Sequence, residues 1–300
     1  MAKSGVMHRI NVYQIETKIG EKSMVDYAFY NGVFTPYDAC CVPISDRSIF
    51  FGEAVYDVIL GRDGRPYQLD EHLDRLLGNA MKIGLSDIPS VEDLKESIRD
   101  LLSIAEADDF VLYAQLSSNG ERRNHLRTDT TVNILLTVTE TRIPDRPELC
   151  DAVLLPDLRH RYCNVKTTAL LPAIISLSEA EARGSDIAIF EKDGYVTEAS
   201  HANVAIIVKD KLITHPLDES ILPGISQMNL IRVCKSLGIC NEERQFTVRE
   251  MIEADLVLIT STTKLVKACR KINGVELSSD KLDLASEIFN RMRGDIFTEF

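Results

Sequence analysis

Between Tyr27 and Leu60 the chain alternates short apolar runs, YAFYNGVF, ACCVPI and AVYDVIL, with the turn pairs Asn31-Gly32 and Asp63-Gly64. That pattern predicts antiparallel strands joined by tight turns. The period then lengthens: Leu69, Leu73, Leu76, Leu77, Ala80 and Ile83 recur at helical spacing, and Ser90 is placed to open a second amphipathic helix through Leu94, Ile98, Leu101 and Ala105. Two more strand signals, FVLYAQLS and TVNILLTV, flank the charged loop GERRNHLRTD, which completes an α+β unit.

The segment TETRIPDRPEL carries two prolines, several charges and no periodicity, and reads as a linker near residues 140 to 148. The chain therefore divides into an amino-terminal α/β domain, 1–142, and a second domain, 143–300. The second carries strand patterns near AVLLP, DIAIF, VAIIV, KLITH and LVLIT. Helices are expected around 172–183, 225–237 and 248–253, the last with Thr247 as its N-cap.

Composition narrows the function. A chain of 300 residues with 45% hydrophobic content can bury one or two ordinary cores. A formal net charge of −12 argues against a nucleic-acid partner, which calls for clustered basic surface. No apolar run reaches membrane-spanning length, and the opening MAKSGVMHRINVYQ lacks a secretory apolar core, so a soluble cytoplasmic protein is expected. The 7 cysteines form no CxxC pair, and the adjacent Cys40-Cys41 read as small strand residues. The 6 histidines show no ligand spacing, so no metal is expected, and without GxGxxG the dinucleotide and P-loop readings fall away.

Candidate chemistry centres on Lys166, in NVKTTALL before an apolar helix, and Glu198, a lone carboxylate read as lying in a turn between apolar strands. Pyridoxal 5'-phosphate needs a lysine to hold its aldehyde as a Schiff base and a carboxylate to keep its ring nitrogen protonated. Pro223-Gly224 opens a helix at Ile225 and Ser226, whose free amides make a phosphate cradle, and Thr260, Ser261, Thr262 and Thr263 supply further donors. Arg75 has the planar fork for a phosphate, although its helical phase points to a solvated face. Arg123 and His125 concentrate cationic donors in a loop suited to a carboxylate. Each residue alone has a plainer reading: a surface lysine, a solvated acid, an ordinary helix start, a charged hairpin tip, or, for Tyr56, core packing.

Taken in order, FFGEAVYDV, LDEHLDRL, RRNH, NVKTTALL, GYVTEASHAN, ILPGIS and ITSTTKLV resemble the class IV pyridoxal-phosphate aminotransferases, or fold type IV, collinearly from about Tyr27 to Leu277. The resemblance implies a small N-terminal α/β domain and a larger C-terminal domain with a barrel-like sheet, the cofactor between them. It implies Lys166 as the Schiff-base lysine, Glu198 at the pyridine nitrogen, and Arg75, Ile225, Ser226, Ser261 and Thr262 at the phosphate. The Arg-x-His loop is similar to that of the D-amino-acid aminotransferases. There two such residues, here Arg123 and His125, reach from a neighbouring subunit to join a tyrosine, here Tyr56 with Tyr113 nearby, on the substrate α-carboxylate. A homodimer with active sites at the subunit interface follows from that likeness. So does amino transfer from a D-amino acid such as D-alanine to a 2-oxo acid such as 2-oxoglutarate. A branched-chain L-amino-acid or (R)-amine transaminase, an aminodeoxychorismate lyase and a cofactor-binding protein without turnover are the alternatives. The sequence departs from the family's usual residues at Ala169, at Ser118-Asn119 and across Ala199-Ser200-His201-Ala202.

Overall fold

The computed structural model describes residues 26–120, 122–128 and 131–298; the opening stretch read above for a secretory core, and part of the charged loop, lie outside the described residues. The described chain forms two compact units. One comprises residues through Arg142 together with Thr167–Ala169, the other Ile143–Lys166 and Leu170 onward.

The first unit contains β1 (Tyr27–Tyr30), β2 (Val33–Pro36), α1 (Arg47–Phe51), β3 (Ala54–Arg62), β4 (Arg65–Pro66), α2 (Leu69–Lys82), α3 (Val91–Ala105), β5 (Asp109–Ser118) and β6 (Val132–Glu140). Its antiparallel sheet runs β2-β1-β6-β5-β3-β4. Asn31 and Gly32 take φ of 46° and 90°, and Asp63 and Gly64 take 49° and 72°, the left-handed pairs that two-residue hairpins require. Ser90 caps α3 in a reciprocal box with Asp93. Leu73, Leu76 and Ala80 of α2, which packs on β3 and β5, and Leu94, Ile98 and Leu101 of α3, which packs on β1 and β6, are buried, as are Phe110, Leu112 and Ala114 of β5.

One strand expected here is absent. The ACCVPI segment forms no strand, and Cys41 is exposed in a loop. Pro43 has no N–H to give a ladder, and the chain beyond it is captured by a helix start: Asp46 accepts from Ser48 N at 2.9 Å, and its buried carboxylate also takes Ser117 Oγ at 2.7 Å and Asn133 Nδ2 at 2.9 Å.

The second unit contains β7 (Leu149–Pro156), α4 (Leu171–Ala182), β8 (Ile187–Lys192), β9 (Tyr195–Ala199), β10 (Asn203–Val208), β11 (Lys211–Thr214), α5 (Ile225–Ser236), β12 (Cys240–Glu243), α6 (Val248–Ile252), β13 (Leu256–Ser261), β14 (Leu265–Ile272), β15 (Val275–Glu276) and α7 (Leu282–Thr298). Residues 141–148 form neither helix nor strand, and Thr247 caps α6 together with Glu250. The sheet runs β12-β11-β10-β13-β14-β7-β8-β9, with β15 beside β14. It is mixed: β7 pairs in parallel with both β14 and β8, while β10, β13 and β14 run antiparallel.

The sheet is curled. Cys150, Ile189, Val196, Ile206, Ile213, Ile259 and Cys269, drawn from seven different strands, meet in one cluster with Phe246 and Met251, which a flat sheet cannot bring together. On the other face Val153, Leu155, Ala188 and Phe190 pack on Ala180 of α4. The helix α7 went unpredicted, although its buried Ala285, Ile288, Phe289, Met292 and Ile296 follow helical spacing. No helix among the described residues is long and apolar enough to cross a membrane.

Candidate active site

In the second unit the site is built around the end of β9. Glu198 is not in a turn: it is the penultimate residue of the strand, the turn begins only at Ser200, and the side chain is 6% exposed. A buried carboxylate requires donors, and it has them. Leu222 N donates at 2.9 Å, Asn203 Nδ2 at 3.1 Å, and the Arg159 guanidinium completes the set. Arg159 is itself fixed by Asp157, through Nε at 2.9 Å and Nη2 at 2.6 Å, by Ser220 O at 3.0 Å, and by the Phe190 ring 4.7 Å below it. Burial pushes the Glu198 carboxyl up to about 7, against the opposing pull of the Arg159 charge and the Leu222 amide. The sequence reading passed over Asp157 and Arg159. Their signal was an acid and a base two residues apart just beyond the β7 run.

Lys166 lies half-buried in the loop between β7 and α4. That loop is tied to the 219–222 segment, where Cys163 N donates to Glu219 O at 3.1 Å, and to itself, where Val165 N donates to Tyr162 O at 3.1 Å. The Lys166 ammonium acts electrostatically on His201, in the turn after Glu198. Immediately after the lysine, Thr168 N donates to Ala54 O at 3.1 Å and its Oγ1 to Gly52 O at 3.2 Å, within the first unit. The lysine thus emerges from a segment held on both sides.

The expected phosphate residues fall at two chain ends of the same unit. Gly224 precedes α5, which has no side-chain cap, so its opening amides stay available as donors. Only glycine fits there, since a Cβ would stand 1.9 Å from Asn203 Oδ1. Ser261 ends β13, Thr262 begins the following turn, and Asn203 of β10 sits in register with Thr260. The two donor groups are therefore linked to Glu198 through a single asparagine. Thr260 Oγ1 is buried with no hydrogen-bond partner among the described residues.

In the first unit Arg75 is not on a solvated face. Its Nε and Nη2 hold Asp57 of β3 at 2.8 and 2.7 Å, with His72 Nδ1 on the same carboxylate at 2.7 Å. The helical stripe misled because it counts only apolar residues: fully buried Asp57 draws His72 and Arg75 to the sheet side of α2. Those two bases hold the Asp57 carboxyl far below its usual range despite burial. On the opposite face of β3, Tyr56 stacks on Tyr113 with centroids 5.4 Å apart, and the Tyr113 hydroxyl, its ionisation suppressed by burial, donates to Gln115 at 2.7 Å. Arg123 and His125 are exposed in the loop after β5. The Arg123 guanidinium lies 5.4 Å and the His125 ring 5.5 Å from the Phe51 ring centre.

An amine nucleophile, a buried acid, two sets of backbone and hydroxyl donors and an orphaned hydroxyl make a donor set that fits a phosphorylated pyridine aldehyde. The Amino-transferase class IV family pattern matches residues 54–272, and the chain belongs to that family of pyridoxal-phosphate-dependent transaminases. It is 31% identical over 253 residues to a D-alanine aminotransferase of Bacillus licheniformis, covering 83% of this chain and 89% of that one. Among solved structures, a branched-chain aminotransferase of Thermoproteus uzoniensis superposes with a TM-score of 0.81 at 22% identity, covering 91% of this chain and 95% of the other. A putative 4-amino-4-deoxychorismate lyase of Legionella pneumophila gives 0.77 at 23%, covering 85% and 96%. These two likenesses speak to the fold, which is that of fold-type-IV transaminases.

Proposed function

We propose that the protein transfers an amino group from a D-amino acid such as D-alanine to a 2-oxo acid such as 2-oxoglutarate, in the cytoplasm and as a homodimer. The observation that carries the reading is the Arg-x-His loop, which presents Arg123 and His125 around Phe51. The name of the Bacillus licheniformis relative agrees with it. Exposed Leu171, Ile174 and Ile175 on α4, with Ile49 and Phe50 on α1, favour assembly, since apolar clusters of this kind mark interaction surfaces.

Pyridoxal phosphate, when bound, supplies the electron sink that stabilises negative charge at the substrate α-carbon. Lys166 would hold the cofactor through its aldehyde and, once displaced by the incoming amine, its Nζ would take the proton from the substrate α-carbon and deliver it to the former aldehyde carbon. Glu198 is the carboxylate that would face the ring nitrogen and keep it protonated. Asn203 and Leu222 N fix the carboxylate's direction. Arg75, Ile225, Ser226, Ser261 and Thr262 neutralise and orient the phosphate. Arg123, His125 and Tyr56 hold the substrate α-carboxylate, and so select which face of the α-carbon meets Lys166.

The test mixes D-alanine with 2-oxoglutarate and follows pyruvate and glutamate. L-branched-chain amino acids, (R)-amines and aminodeoxychorismate are run in parallel. Turnover of D-alanine above the other donors is expected, and Lys166→Ala is expected to abolish both it and the cofactor's visible absorbance. Pyruvate from aminodeoxychorismate alone would replace this reading with the lyase, and full activity of the lysine variant would end it.

A further inference from the structure

We propose that Glu53 is the positioning residue for the carboxylate-binding loop, an inference that rests on the D-amino-acid reading above. Glu53 lies between α1 and β3, and its carboxylate is shared by the guanidinium groups of Arg47 and Arg127. Each arginine uses its remaining nitrogens on backbone carbonyls. Arg47 donates to Asn124 O at 2.5 Å and to His125 O at 3.3 Å, while Arg127 donates to Ile83 O at 2.9 Å and also to Gly84 O.

One carboxylate therefore fixes the loop at two points. Asn124 and His125 are held through Arg47, and Arg127 is held directly, with the far side of Arg127 anchored to the end of α2. The Phe51 ring completes the clamp: Arg47 lies over it at 4.5 Å and Arg123 at 5.4 Å. Arg47 is only 8% exposed, and a guanidinium so enclosed requires a counter-charge. Burial alone would raise the Glu53 carboxyl, yet the two arginines hold it below the usual carboxylate range, so it stays ionised wherever the enzyme works. Nothing in the sequence of the loop records this. The two arginines stand far apart in the chain, Arg47 before β3 and Arg127 after β5, and the acid that unites them is adjacent to neither.

Glu53 acts through Arg47 and Arg127, so its loss should weaken substrate capture and leave the chemistry at Lys166 intact. In the holoenzyme, Glu53→Gln is expected to raise KM for D-alanine and for 2-oxoglutarate on the order of ten-fold, with kcat changed by less than about two-fold. The absorbance of the bound cofactor should not move. Amide hydrogen exchange across 124–127 should quicken, and Glu53→Asp should restore part of the affinity. Arg127→Met removes the other arm and should show the same signature, which keeps the test open if Glu53→Gln is insoluble. Wild-type KM and wild-type exchange in these variants would overturn the proposal, as would a loss of cofactor absorbance in step with activity. If the wild-type enzyme ignores D-amino acids, the functional reading fails instead, while the exchange measurement still reports on the clamp.

Discussion

Glu198 shows how one side chain can be both a liability and a tool. Its carboxyl titrates at about 7 in the folded protein against an ordinary value of about 4.3. The sign follows from linkage: a group whose folded value is raised contributes stability in full below its unfolded value, and that contribution is lost as pH rises through about 7. Cofactor-free wild type should therefore lose up to about 3 kcal/mol between pH 5 and pH 8 that Glu198→Gln does not lose. Melting temperatures of both at the two pH values check it; parallel curves would mean that Arg159 already compensates the buried charge. Lys166 and Glu198 were legible as residue types, because a phosphorylated pyridine aldehyde asks for an amine and an acid. Their partners were not. Arg159 reaches Glu198, and Asp57 reaches His72 and Arg75, across separate elements that no short window spans; Asn203, five residues after Glu198, and Asp157, two before Arg159, lie close by but carry no pattern that marks them.

Among elements, β3 and β5 make a tight demand on side-chain volume. Gly61 faces Phe110 across the ladder, and a Cβ at Gly61 would lie 2.1 Å from the Phe110 ring, which is fully buried and has nowhere to go. Gly61→Ala is expected to destabilise the protein by about 2 kcal/mol, read as a lowered denaturation midpoint of a first-unit probe; an unchanged midpoint would show that the ring can rotate away. The elements that could be read in advance were those with local signatures: the Asn31-Gly32 and Asp63-Gly64 turns, the α3 cap at Ser90, the α6 cap at Thr247. Those that could not, β12 and the ACCVPI loop, depend on whether a neighbouring strand edge is available. That is a property of the sheet and not of the segment.

At the scale of the whole molecule, the ordered series of motifs carried the family, and with it the curled sheet, further than any single residue could. It said nothing of strand order, which is where the second unit is most constrained. In the ladder order β14 stands between β7, β8 and β9 on one side and β13, β10, β11 and β12 on the other, while a single bridge, Ala199 to Ala202, ties the far ends of β9 and β10. By residue 262 every side chain expected to grip the cofactor has been made, yet β14, which pairs with both β13 and β7, is still to come. A chain halted at Thr263 should therefore stay colourless with excess vitamin, and gain colour only when a peptide spanning 264–298 is supplied in trans; colour without the peptide would refute this. Until β14 arrives, the flanks of β13 and β7 that it covers stay open to edge-to-edge association, so one late strand closes the sheet on both sides at once.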